Sequence, residues 1–202
     1  IFKKLFMNFK NSNKKLKVVL SIGDESGIGP EIILKALYSD EIPKNIDFTL
    51  VGSKKNLQNT YAYFRTLGLK NLANPKHLKI HDIEISSSDN YSQSNYGNSS
   101  FYYLTKAIEI VKQYPNSALV TGPICKKSWS LAGHHYSGQT EVLAKSCGLK
   151  NVGMLFTAKS PITGWRFNTL LATTHIALCE VPKKLNKDLI HSKLDLLKDF
   201  CN

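Results

Sequence analysis

Arginine is almost missing from this chain: of its 27 basic residues only Arg65 and Arg166 are arginine. Surfaces that read bases or grip phosphates in a bidentate way favour Arg. The formal charge of +12 over 202 residues therefore reads as a lysine-rich solvated surface, with no nucleic acid expected as partner. Much of the excess sits in the first 17 residues, where Lys3, Lys4, Lys10, Lys14, Lys15 and Lys17 meet no acid. Long apolar runs are also lacking. Runs such as residues 17–22 fall far short of the about 20 apolar residues that cross a bilayer, so no membrane association is expected. The four cysteines show no CxxC spacing, which suits free thiols in a reducing cytoplasm and not a disulfide framework or a zinc knuckle. Residues 1–9 hold no apolar stretch or cleavage site of a secretory signal. The first residue is Ile1 and not Met, so the natural start is expected at Met7 or upstream of this sequence.

What is present is a 42% hydrophobic chain able to bury a sizeable core. Residues 1–15 are expected to form a disordered basic tail, 16–115 an N-terminal α/β region, and 116–202 the start of a second one. Leu16 to Ile22 reads as a strand running into Gly23-Asp24-Glu25-Ser26-Gly27-Ile28-Gly29-Pro30, with Pro30 opening a helix. Strands are expected at 47–51 and, more weakly, 79–85, with a helix at 54–67 between them. Residues 86–98, rich in Ser, Asn and Tyr, read as a loop before a helix at 99–114. A strand at 117–121 leads to helices at 126–131 and 140–147. Strands at 151–157 and 168–173 flank a turn, and one helix covers 182–200. This alternation argues for an α/β protein with a mostly parallel sheet and helices on both faces.

Ligands of open α/β sheets bind outside the carboxyl ends of the strands. Three polar segments fall at such ends: 23–30, 121–127 and 173–175. The first lacks both GxGxxG spacing and a Gly-Lys-Ser/Thr, so it is neither a dinucleotide fingerprint nor a P-loop, and its acids would repel a phosphate. Gln139 and Thr140 open a helix whose N–H groups favour an anion, although Thr140 also suits a plain N-cap. His134 and His135 are adjacent and read as a surface turn, not a metal pair. His175 directly follows a strand, with no further ligand near it in sequence. No GxSxG nucleophile elbow occurs.

Together, GDESGIGPEIILKAL, ALVTGPICK, AGHHYSGQTEVLA and LLATTHIAL, in that order, resemble the 4-hydroxythreonine-4-phosphate dehydrogenase family of vitamin B6 biosynthesis. The resemblance implies a fold like the isocitrate and isopropylmalate dehydrogenases, with two α/β domains and a homodimer. It implies NAD or NADP as oxidant and a divalent metal (Zn, Mg or Co) held by histidines. The reaction is oxidation of 4-phosphooxy-L-threonine followed by decarboxylation to 3-amino-2-oxopropyl phosphate. On that resemblance His175 is a metal ligand, Gln139 and Thr140 contact substrate, and Asp24 and Lys126 lie near the cleft. Gln139 stands where the family usually has His; it can hydrogen-bond but cannot exchange a proton near neutrality, which assigns it to binding. The other metal histidines of the family are expected from a C-terminal part beyond Asn202, so the two-domain architecture is expected to be incomplete in this chain. Two alternatives stay open: an inactive remnant serving at most as a dimerising or ligand-binding domain, and a dehydrogenase of another phosphorylated hydroxy acid.

Overall fold

The computed structural model describes residues 15–43, 45–84 and 92–201. The expected tail, apart from residue 15, the last residue of the expected strand at 79–85, and the stretch 86–91 of the expected loop lie outside the described residues. In chain order the elements are β1 (Leu16–Ser21), α1 (Gly29–Ala36), β2 (Ile46–Gly52), α2 (Lys54–Thr66), β3 (Ile80–Asp82), α3 (Gln93–Lys112), β4 (Ser117–Thr121), α4 (Lys126–Leu131) and α5 (Gln139–Cys147). They continue as β5 (Leu155–Lys159), β6 (Arg166–Leu170), α6 (Val181–Lys184) and α7 (Lys187–Cys201). None of the described helices is long and apolar enough to cross a membrane.

The described chain divides into two compact units, one ending at Val142 and the other beginning at Leu143. The first is a four-stranded sheet in the order β3-β2-β1-β4, parallel throughout. β1 pairs with β2 from Leu16↔Ile46 to Ser21↔Val51 and with β4 from Lys17↔Ser117 to Ser21↔Thr121. Successive side chains of a strand face opposite ways, and the register sorts them into two layers. Val18, Leu20 and Leu50 pack with Ile33 and Leu34 of α1 and Leu57 of α2. Val19 and Val51 pack with Ala107 of α3, flanked by Ile110 and Val111. Helices thus cover both faces, as expected. Leu34, Leu50 and Leu57 are fully buried, each contributing about 1.5–3 kcal/mol of apolar transfer energy. The sequence reading put a boundary at 115/116; the units divide later because β4 joins the sheet beside β1 and brings residues 117–142 with it.

Two further differences have local causes. α3 begins at Gln93 and not at the expected Ser99, because the Ser92 hydroxyl caps it by accepting from the Asn95 N–H at 3.2 Å. The small residues that resemble loop composition are the ones α4 packs against. A Cβ on Gly97 would lie 2.0 Å from the Ser128 carbonyl oxygen, and Trp129 Nε1 donates to the Ser100 hydroxyl at 2.8 Å. The single helix expected at 182–200 is two, interrupted where Asn186 Oδ1 accepts from the Leu189 N–H at 2.8 Å and starts α7 afresh.

In the second unit β5 and β6 form an antiparallel hairpin, paired from Leu155↔Leu170 to Lys159↔Arg166. Its turn is closed by Ser160 N–H to Trp165 O at 2.8 Å. α7 holds the segment leading into the hairpin through Asn151 Nδ2 to Ser192 O, and through Lys193 Nζ to Val152 O.

The Gly97 contact generates a test. Gly97→Ala forces a methyl group against backbone, so it is expected to destabilise the protein by about 1–3 kcal/mol even though Ala is the better helix former. Urea unfolding reads this; an unchanged or raised midpoint would contradict the packing described.

Candidate active site

The strand order reverses at β1: the chain runs outward through β2 to β3 and then returns to place β4 on the other side. Such a switch point is where open α/β sheets bind ligands. The loops leaving β1 and β4 meet there backbone to backbone. Gly122 N–H donates to Ser21 O at 2.7 Å, and Asp24 N–H to Pro123 O at 2.9 Å. Gly23 has φ +75°, and a Cβ on it would lie 2.3 Å from Pro123 O. One on Gly122 would lie 2.5 Å from Ile22 O. Only glycine suits both places.

Asp24 is 6% exposed, and its Oδ1 accepts from Ser26 N–H at 2.9 Å and from the Ser26 hydroxyl at 2.7 Å. Gly27 N–H donates to Asp24 O. The N–H groups of Asp24, Ser26 and Gly27 are thus committed to protein acceptors and are not free to cradle a pyrophosphate. Glu25 ties the loop to the helices: its Oε1 accepts from the Tyr103 hydroxyl at 3.0 Å, and its carbonyl accepts from Asn56 Nδ2 at 3.2 Å. Burial raises the Glu25 pKa; hydrogen bonds from Tyr103 and Ser99 oppose this, and the charge of Asp24 adds to it. Burial and the neighbouring Glu25 charge likewise push the Tyr103 hydroxyl upward. The sequence reading missed this pair. Its signal was a tyrosine beside the apolar stripe of α3, whose buried hydroxyl needs a partner.

Lys126 opens α4, and Gln139 opens α5, with Thr140 inside the first turn and not at the cap. The turn between these helices is held by His134. Its N–H donates to Trp129 O at 2.8 Å, its ring stacks on Phe101 with centroids 3.8 Å apart, and its Nε2 meets Asn98 Oδ1 at 3.0 Å. Burial, with a smaller effect of His135, lowers the His134 pKa. His135 is exposed, as a surface turn requires, whereas His134 is a packing residue. Gln139 Nε2 donates to Gly122 O at 3.1 Å. A carbonyl only accepts, so this contact fixes the amide orientation. Gln139 Oε1 and Glu141 Oε2 are both buried without a partner. Asp24, Lys126, Gln139 and Thr140 therefore stand on the turns and helix starts along one edge of one sheet.

His175 belongs to the second unit. It follows β6, a strand of the antiparallel hairpin, so the third polar segment does not end a strand of the parallel sheet as the sequence reading supposed. His175 is exposed, and its φ of +57° is the one positive φ at a non-glycine among the described residues. That conformation costs about 1–2 kcal/mol and clusters at functional positions. Among the described residues no group of three His, Cys, Asp or Glu gathers that could hold a metal ion.

Residues 44–202 match the family of the pyridoxal phosphate biosynthetic protein PdxA. The chain belongs to that family. A 4-hydroxythreonine-4-phosphate dehydrogenase of Synechococcus sp. (strain RCC307) is 43% identical over 92% of this chain and 56% of its own length. One of Nostoc sp. (strain PCC 7120) is 44% identical over 91% of this chain and 54% of its own. The chain spans about half the length of these curated PdxA relatives. Among solved structures, a 4-hydroxythreonine-4-phosphate dehydrogenase from Klebsiella pneumoniae superposes with a TM-score of 0.77 at 23% identity, covering 94% of this chain and 60% of that one. One from Burkholderia phymatum superposes at 0.72 with 20% identity, covering 91% and 57%. At these identities the two structures show the PdxA fold.

The Glu25 environment predicts a pH dependence. A carboxyl whose folded pKa is raised above the ordinary 4.5 contributes stability that is fully present below about that pH and is lost as pH rises through the folded value. Glu25→Gln keeps an acceptor for Tyr103 and removes the loss. The variant is expected to be more stable than the parent at pH 7–8, with the gap closing toward pH 4. Urea midpoints across that range check it, and a variant less stable at pH 8 would refute the assignment.

Proposed function

We propose that this chain takes part in the NAD(P)-dependent oxidation of 4-phosphooxy-L-threonine in pyridoxal phosphate synthesis, followed by decarboxylation to 3-amino-2-oxopropyl phosphate. The observation that carries this reading is the family match over residues 44–202, joined to relatives of that name at above 40% identity. The site supports it in kind. Lys126 and the first turn of α5 stand at the switch point, where a helix start and an ammonium favour a phosphate. Gln139 and Thr140 orient the substrate on that turn. Asp24, buried and held by Ser26, keeps the loop after β1 in place beneath it.

NAD or NADP would accept the hydride. In the loop after β1 the N–H groups of Asp24, Ser26 and Gly27 bond within the protein, and no step is assigned to a dinucleotide held there. A divalent ion would supply Lewis acidity at the reacting oxygen. The described residues do not by themselves fit such a centre, since His175 is joined there by no cluster of further ligands. It is proposed as one ligand of a site completed by residues other than those described, in a homodimer acting in the cytoplasm.

Calorimetric titration of the 202-residue chain tests the reading. 4-Phosphooxy-L-threonine is expected to bind and unphosphorylated 4-hydroxy-L-threonine not to. Thr140→Val should weaken binding about tenfold, the loss of one charge-assisted hydrogen bond. Equal affinity for the two ligands would sink the assignment of the phosphate site. In any preparation that forms NAD(P)H with added divalent metal, His175→Ala is expected to abolish turnover, and an unchanged rate would remove it from the ligand set.

A further inference from the structure

Opposite charges surround Gly138 without pairing. A Cβ built on this buried glycine would lie 3.4 Å from Glu141 Oε2, 3.8 Å from Lys126 Cε and 3.9 Å from Lys126 Nζ. These are ordinary contact distances: a methyl group here would touch both side chains, and the glycine leaves that space open beside them. Among the described residues no hydrogen bond or ion pair engages the Lys126 ammonium, and Glu141 Oε2 has no donor. Gln139 Oε1, one residue away, is a third group without a partner. A carboxylate oxygen and an amide oxygen shielded from water and left unpaired are unfavourable, and a ligand that supplies donors relieves both. The sequence reading explains none of this: it placed an anion at the start of α5 and left Glu141, an acid in the same turn, without a role.

We infer that Glu141 is a specificity-determining residue that reads the ammonium group of a phosphorylated amino acid, while Lys126 reads its anionic end, the two being separated by the space over Gly138. The inference rests on the proposed function and names how its substrate is told apart from a phosphorylated hydroxy acid without nitrogen. Acceptor-only oxygens of Glu141 and Gln139 match the N–H donors of an ammonium, and the unengaged Lys126 matches a phosphate or carboxylate. Glu141 also sits three residues after Gly138, where a carboxylate can reach back to cap the helix. Glutamine can cap in the same way, so Glu141→Gln removes the charge while keeping the size and the capping capacity of the side chain.

The experiment titrates the 202-residue chain with 4-phosphooxy-L-threonine and with 4-phosphooxy-3-hydroxybutyrate, which has hydrogen in place of the amino group. The parent is expected to prefer the amino ligand by about tenfold or more, the value of a charge-assisted contact. Glu141→Gln should erase that preference and leave the affinity for the hydroxybutyrate unchanged. Lys126→Gln should weaken both ligands by the same factor. Gly138→Ala should weaken both while leaving the unfolding midpoint in place. A preference that survives Glu141→Gln overturns the inference, as does a parent that binds both ligands equally while the phosphate reading stands. Unchanged affinities in Gly138→Ala overturn the placement over that glycine. A parent that binds neither ligand overturns the inference and the proposed function together.

Discussion

Everything at the carboxyl edge of the parallel sheet depends on the approach of two backbone turns, 22–24 after β1 and 122–123 after β4. Two short N–H to carbonyl bonds join them, from Gly122 to Ser21 and from Asp24 to Pro123. Both bonds need the backbones closer than any side chain on Gly23 or Gly122 would permit. Buried backbone groups left unpaired cost about 1–3 kcal/mol each, so each turn stabilises the other. From them the chemistry is placed outward: Asp24 and Glu25 on one side, Lys126 and Gln139 on the other.

The side chains around this seam divide by charge. On the β1 side an acidic loop is drawn into the protein, where Ser26 and Tyr103 satisfy its carboxylates. On the β4 side a lysine, a glutamine and a glutamate keep polar atoms that no hydrogen bond or ion pair engages among the described residues. The first side is a finished internal network that makes the edge rigid. The second has the unsatisfied character expected of a surface that a ligand completes. The proposed substrate recognition falls on this second side, at α4 and α5, and the loop after β1 takes a supporting part in that proposal.

The strands and most helices were legible because β-branched runs and helical apolar spacing coincide with burial here, as in Val18 to Ile22 and in Leu104, Ala107 and Ile108. The start of α3 was not legible, since Gly97, Ser99 and Ser100 carry no apolar signal; they are small so that α4 can pack against them. The hairpin of β5 and β6 was read as two strands, but nothing in its pattern showed that they pair with each other and not with the main sheet. At the site, motif order located Asp24, Lys126, Gln139 and Thr140 at or near the sheet edge. It could not show which atom of Gln139 is already bound to Gly122, or that Glu141 and Tyr103 take part, because those facts arise from contacts across 17 and 78 residues of sequence or from an absence of contact.

The pairing of Ser21 with Thr121 has a consequence for how this region can vary. Strand register and ligand recognition are set by the same coordinate, since Gly122, which follows Thr121, both bonds to Ser21 and carries the carbonyl that holds Gln139. Loss of one residue within β4 would exchange the faces of Ala118 and Leu119 and draw that carbonyl back by about 3.3 Å. An insertion in the exposed part of the turn at 131–137 leaves both intact. Length variation among descendants of this chain should therefore be tolerated at the exposed positions of that turn, away from His134, and excluded from the five residues of the strand before it.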